Sequence, residues 1–195
     1  NYTDVDDKII NKAIEEGVSE SVIANKYLDR YLELRKDLNA INPTYMPRVT
    51  DNIENIINFI SKLIELGYAY ESNGDVFFRV NKVPGYGRLS NLNMEDLRSG
   101  ARIEENSAKE NPMDFALWKK TEAGIKWDTP WCKGRPGWHT ECVVMINALY
   151  PNGLIDIHGG GFDLKFPHHE NEIAQSLACN NHTIANYWMH NGHIN

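Results

Sequence analysis

An α/β fold, with a parallel sheet split by an inserted segment, is what this 195-residue sequence predicts. Three observations carry that reading. The last third runs helix, strand, glycine cluster, helix and strand, the order in which half of a parallel sheet is wired. The first forty-odd residues hold helical patterns and can supply the end of the other half. Between them lie a helix, a hairpin signal and a stretch rich in Pro, Gly, Asn and Trp with little periodicity. The expected divisions are 1–46 for the end of the first half, 47–130 for a connective insertion and 131–195 for the second half.

Each element has its own signal. Residues 4–16 read as a strand end turning into a helix, with acidic residues in the first turn and Gly17 as the stop. Ser19 suits the N-cap of a second helix to about Leu38, with Ile23, Tyr27, Tyr31, Leu34 and Leu38 along one face. Asn42-Pro43 and Met46-Pro47 break it. Thr50 is placed to cap a third helix, in which Ile53, Ile56, Ile57, Ile60, Leu63 and Ile64 form one apolar stripe before Gly67. Asn73-Gly74 between Tyr68–Tyr70 and Val76–Val80 predicts a hairpin, because both turn positions need positive φ. From Pro84 to Gly137 loops and short strands are expected, with a short helix around Met94–Ser99. The remaining expectations are a helix over Trp138–Leu149, a strand over Leu154–Ile157, a tight turn at Gly159–Gly161, a helix from Pro167 to Cys179 and a strand near Tyr187–His190.

Composition narrows the function classes. A hydrophobic fraction of 42% builds a real core. A net charge of −7 and a pI near 5.5 argue against a purely electrostatic nucleic-acid binder, although a local basic patch stays compatible with RNA contact. No run of about 18 apolar residues exists to span a membrane. Three irregularly spaced cysteines, Cys132, Cys142 and Cys179, imply no disulfide framework and point to a reducing cytoplasm. Asn1-Tyr2-Thr3-Asp4 carries neither an initiator Met nor a signal pattern, and both ends of the sequence read as cut edges.

The densest chemistry is Phe166-Pro167-His168-His169-Glu170-Asn171-Glu172. On a helix His168 and Glu172 stand at i and i+4 and face the same way, so one divalent ion can bind both. Cys142 offers a thiolate from a separate helix, and a Cys/His/Glu set favours zinc over calcium or magnesium. A plain helix start, with acidic residues favoured by the dipole and solvated imidazoles, also accounts for the run. His158-Gly159-Gly160-Gly161-Phe162-Asp163 follows a strand and precedes a helix, where backbone can approach a nucleotide and Asp163 can accept from ribose hydroxyls; a tight turn is the other reading. Trp138 lies one helical turn before Cys142 and suits either core or ligand wall. The acidic run Thr3-Asp4-Val5-Asp6-Asp7 suits helix capping better than metal binding. Lys119, Lys120, Lys126, Lys133 and Arg135 fall in the irregular region, where phosphate contact and simple solvation are both open.

Taken together, the stretches 3–10, 111–119, 134–142, 156–176 and 187–190 resemble cysteinyl-tRNA synthetases, a family of class I aminoacyl-tRNA synthetases. The resemblance spans nearly the whole chain and is most specific over 156–176. It implies an internal piece of a Rossmann-like catalytic domain with a connective insertion. It implies ATP-dependent activation of cysteine, with magnesium, and transfer to tRNA(Cys). Cys142, His168 and Glu172 would then be zinc ligands, and His169 would not. Trp138 would wall the cysteine pocket, Thr3 would neighbour the substrate, and Gly161 with Asp163 would meet the adenylate ribose. No catalytic side chain is assigned within the chain. Cys132 stands where the family usually shows glycine. The family's fourth zinc ligand, an upstream cysteine, and its His-Ile-Gly-His and Lys-Met-Ser-Lys-Ser motifs do not occur in these residues, so the chain alone is expected to be inactive. Two rivals remain at this point: a non-catalytic zinc or tRNA-binding module, and the related cysteine:aminosugar ligase of mycothiol synthesis, whose resemblance fades after His-His-Glu.

Overall fold

A computed structural model describes residues 1–92 and 107–192. The chain opens with α1 (Asp7–Glu16), which Asp6 caps by accepting from the backbone N–H of Lys8 at 2.8 Å. Gly17 ends it in the left-handed region at φ 66°. α2 (Glu20–Asp37) follows, with Ser19 at the N-cap position. Its hydroxyl meets the Ser21 hydroxyl at 2.9 Å instead of capping the backbone. Only Ile23 of the predicted α2 face is buried; Tyr27 stays 55% and Leu38 78% exposed. The expected apolar face is therefore buried only at Ile23, since no described element packs over the rest of it.

α3 (Ile53–Glu65) is the centre of the core. Ile53, Ile56, Phe59, Ile60 and Leu63 are buried, while Ile57 and Ile64 pack at the margin. Each of those five side chains contributes roughly 1.5–3 kcal/mol on burial. The predicted Thr50 cap is replaced by a longer-range one. Thr50 sits in a short 3-10 turn, and the Asp4 carboxylate accepts its backbone N–H and its hydroxyl.

The hairpin forms as expected between β1 (Ala69–Ser72) and β2 (Asp75–Phe78). Asn73 and Gly74 take φ 55° and 89°, the two positive values a two-residue turn of this hand demands. The hairpin grows into a five-stranded antiparallel sheet with β3 (Phe115–Lys120), β4 (Trp127–Asp128) and β5 (Lys133–Pro136), in the order β1-β2-β3-β5-β4. The buried Leu117 and Trp118 lie at the heart of the segment that sequence leaves as loops and short strands. The helix expected around Met94–Ser99 lies outside the described residues.

The last third supplies α4 (Trp138–Leu149), β6 (Ile155–Gly161), α5 (Glu170–Asn180) and β7 (Ala185–Asn191). β6 and β7 pair in parallel, from Ile155 opposite Ala185 to Gly161 opposite Asn191. An isolated parallel bridge joins Tyr2 to Arg48. The fold is thus mixed α/β, with parallel pairing confined to the flanks and antiparallel pairing in the middle. One expectation fails here: Gly159–Gly161 is not a turn but the C-terminal half of β6. None of the three has positive φ. At Gly160 glycine is required by contact instead, since a Cβ would come within 2.9 Å of His169 Cε1. Among the described residues, no helix is long and apolar enough to cross a membrane.

Candidate metal centre

α4 and α5 pack against each other and against α3, which sets Cys142 of α4 opposite the start of α5. Phe166 keeps an extended backbone (φ −137°, ψ 133°), as a residue preceding proline is forced to do. Pro167 has no N–H to lose to a helix ladder, so the chain re-enters helical geometry there. His168 and Glu172 then stand one turn apart. One donor atom each from Cys142, His168 and Glu172 lie mutually within 4.8 Å. His168 Nε2 is 3.0 Å from Glu172 Oε1 and 3.9 Å from Cys142 Sγ.

Glu172 is fully buried, and neither carboxylate oxygen receives a hydrogen bond of acceptable angle. The imidazoles of His168 and His158 are its ion-pair partners, at 3.0 and 2.7 Å. A buried carboxylate needs cationic or hydrogen-bonding partners to offset its burial, and a metal ion between these donors would be one. The donor set of thiol, imidazole and carboxylate fits zinc. Burial pushes the Glu172 carboxyl up, but the neighbouring His158 and His168 outweigh it and hold the group at about 2. Burial, then the charges of Glu172 and Glu141, raise the Cys142 thiol well above its usual value.

Around this trio the orientation is fixed by further rings. His139 Nδ1 meets His168 Nδ1 at 2.9 Å, leaving Nε2 of His168 toward Glu172 and Cys142. Burial, reinforced by the proximity of His168, lowers His139 to about 3, so it stays neutral. Trp138, 47% exposed, stacks on His168 with centroids 4.2 Å apart. Thr3 donates to Glu141 Oε2 at 3.1 Å, beside Cys142. Burial raises Glu141 to about 8 against the pull of that hydrogen bond. Gly161 ends β6 and Asp163 lies in the 3-10 turn after it, at the C-terminal edge of the parallel pair where α/β sheets bind ligands.

Sequence reasoning gives no role to His158 or His139. Their signal was there: His158 opens the glycine triplet, and His139 stands three residues before Cys142 on one helix. Cys179 is a buried core thiol, and Cys132 is half-buried at the antiparallel sheet. Of the basic residues, Arg135 pairs with Asp7, and Lys133 lies 3.6 Å from Asp128.

A family model described as the class I (C) tRNA synthetase catalytic domain matches residues 1–195. Among curated proteins, the chain is 56% identical over 196 residues to a cysteine–tRNA ligase of Clostridioides difficile, covering all of this chain and 42% of that protein. It is 53% identical to the cysteine–tRNA ligases of Acholeplasma laidlawii, over 44% of that protein, and Geobacillus thermodenitrificans, over 42%. The chain therefore spans less than half the length of these relatives. With the match extending from first residue to last, the chain belongs to the class I (C) tRNA synthetase catalytic domain family.

Proposed function

We propose that this chain forms the cysteine-selecting part of a cysteine–tRNA ligase, which activates cysteine with ATP and magnesium and transfers it to tRNA(Cys). The observation that carries the reading is the convergence of Cys142, His168 and Glu172 around a buried carboxylate with no hydrogen bond. The names of the relatives favour this over an aminosugar ligase or a non-catalytic module. Residues 1–46 and 131–195 would be parts of the two halves of the catalytic domain, with 47–130 as the insertion. Three cysteines free of disulfides suit a reducing cytoplasm.

Bound by these ligands, zinc supplies a Lewis-acid position that a cysteine thiolate can occupy and a serine hydroxyl fills poorly. The chain's own residues do the rest. His139 fixes the ring of His168, and Glu172 holds its buried carboxylate beside that ring. Trp138 walls the side-chain pocket. Thr3, anchored on Glu141, sits where a substrate ammonium or carboxylate would pass. Gly161 and Asp163 flank the place of the adenylate ribose, the glycine because backbone can come close and the aspartate as acceptor. Discrimination against serine then follows from one polar contact that the competitor cannot make well.

Cysteine-dependent ATP–pyrophosphate exchange tests the reading. A protein of the relatives' full length containing this chain should catalyse it, and Cys142→Ala in that protein should lose preference for cysteine over serine. The 195 residues alone contain neither His-Ile-Gly-His nor Lys-Met-Ser-Lys-Ser, the family's sources of positive charge around the triphosphate. They should show none. Exchange by the isolated chain, or unchanged selectivity in Cys142→Ala, would overturn the proposal.

A further inference from the structure

Two stretches far apart in the chain, 3–7 and 135–142, are tied together at two points. Thr3 donates to the buried carboxylate of Glu141 at 3.1 Å. Arg135, whose side chain is only 11% exposed, donates to the Asp7 carboxylate. Arg135 lies on β5 and Glu141 on α4, three residues before and three after Trp138. One link therefore grips each end of the Thr3–Asp7 run. The fastening continues past Asp7. The Ile125 backbone N–H donates to Glu20 Oε1 at 2.9 Å, and a Cβ on Gly124 would come within 2.7 Å of Ile10 Cγ2. Between the two links, Asp6 lines the same cleft of about 760 Å³ as Trp138. Among the described residues that line this cleft, neither Glu141 nor Arg135 occurs. Both stand behind the surface that a ligand would touch.

We propose that Glu141 and Arg135 are positioning residues for the amino-acid substrate: they hold the Thr3–Asp7 run against the start of α4, and so fix Thr3 relative to Trp138. A binding group keeps its place only when its neighbours lock it, and a small displacement weakens every contact it makes. Glu141 locks the Thr3 hydroxyl directly, and Arg135 keeps the far end of the run from swinging away. This rests on the proposed reading of Thr3 and Trp138 as neighbours of substrate cysteine, and adds the two residues that set their spacing.

The test uses a protein of the relatives' full length containing this chain, assayed by ATP–pyrophosphate exchange, with zinc content measured on every variant. Glu141→Ala should raise the KM for cysteine about tenfold, the usual effect of losing a buried hydrogen bond. Its kcat and its KM for ATP should stay within about twofold, as when binding alone is lost. Glu141→Gln keeps an acceptor for Thr3 and should restore the wild-type KM. Arg135→Ala should raise the KM for cysteine about threefold, less because Asp7 is 62% exposed, and Arg135→Lys should recover part of that. In a Thr3→Val background Glu141→Ala should add nothing further, because it acts through that hydroxyl. Preference for cysteine over serine should stay, since both amino acids carry the groups that Thr3 would meet. Circular dichroism checks folding, and Glu141→Met serves where alanine does not fold. An unchanged KM for cysteine in the folded Glu141 variant overturns the assignment, and so does a fall in kcat alone. It is overturned equally by a KM that Glu141→Gln does not restore, by losses that add to those of Thr3→Val, or by a KM that rises only where zinc is lost. Each of these leaves the functional reading standing, whereas a full-length wild type without exchange overturns that reading and this assignment together.

Discussion

Asp4 and Thr50 are joined twice: one carboxylate oxygen of Asp4 accepts the Thr50 backbone N–H at 3.0 Å, and the other accepts the Thr50 hydroxyl at 2.6 Å. An acidic residue far away in sequence thus closes the turn that leads into α3, the helix on which the core is built. Asp4→Ala should lower stability by about 1–2 kcal/mol, the usual worth of a helix-start cap. Thr50→Val should lose part of that. In the double variant the two losses should not add, because they share one interaction. Urea midpoints at constant m-value measure all three.

Asp114 is the bracket of the antiparallel sheet. Its buried carboxylate accepts from Tyr70 Oη at 2.9 Å, from the Val80 N–H at 3.1 Å and from the Asn111 N–H at 3.1 Å. Asp114→Ala strands three donors and should cost about 3 kcal/mol. Burial, opposed by these hydrogen bonds, raises its pKa above the ordinary 3.8. The sign follows from linkage: the folded state holds the proton longer than the unfolded one. The contribution of Asp114 is therefore full below about 3.8 and declines as pH rises through the raised folded value. The stability gap between wild type and Asp114→Ala, followed by denaturation across that range, should narrow toward neutral pH.

Glycine at 134 and 137 is a matter of backbone approach. A Cβ on Gly134 would overlap the Lys119 carbonyl oxygen, and one on Gly137 the Ala116 carbonyl oxygen. Gly137→Ala should destabilise by about 3 kcal/mol, since strand β3 would have to move and not merely a side chain. Gly192→Ala, with nothing within 4 Å, is the control and should leave the melting temperature unchanged.

Zinc held by Cys142, His168 and Glu172 alone should be retained less firmly than by a four-ligand site. Dialysis of the 195-residue chain against a mild chelator should therefore remove most of it, while a relatives'-length protein keeps its metal. Full stoichiometric zinc in the dialysed chain would contradict this. Glu172→Gln should lose metal sooner still, because the amide offers no charge.

What could be read from sequence was local. Asn73-Gly74 declared the hairpin because two consecutive positive φ values admit few residues, and α3 declared itself by a full apolar stripe. The pairing of His168 with Glu172 follows from helical spacing alone. What escaped was set by contacts across the chain. The glycine triplet looked like a turn because nothing nearby in sequence reveals that His169 lies over Gly160. Asp4 took the capping task expected of Thr50, and the face of α2 ending at Leu38 stayed open, for the same reason: periodicity tells which side is apolar, not what comes to cover it. Short strands are expected between Pro84 and Gly137, but the places of β3 and β5 are not legible, because their pairing is with each other and with β2 while their own residues alternate poorly.

Glu170 and Asn171, next to the Glu172 carboxylate in sequence, face the middle segment. Glu170 accepts from the backbone N–H of Gly87 at 3.1 Å and of Ser90 at 2.6 Å, and Asn171 accepts from the Tyr86 hydroxyl. One turn of helix therefore carries, side by side, the fastening for residues 86–90 and the floor of the site. The middle segment is for that reason no exchangeable module. Grafting it from a relative would carry strain straight into the donor geometry unless residues 170 and 171 travelled with it, and these two positions are where a chimera should be cut or matched.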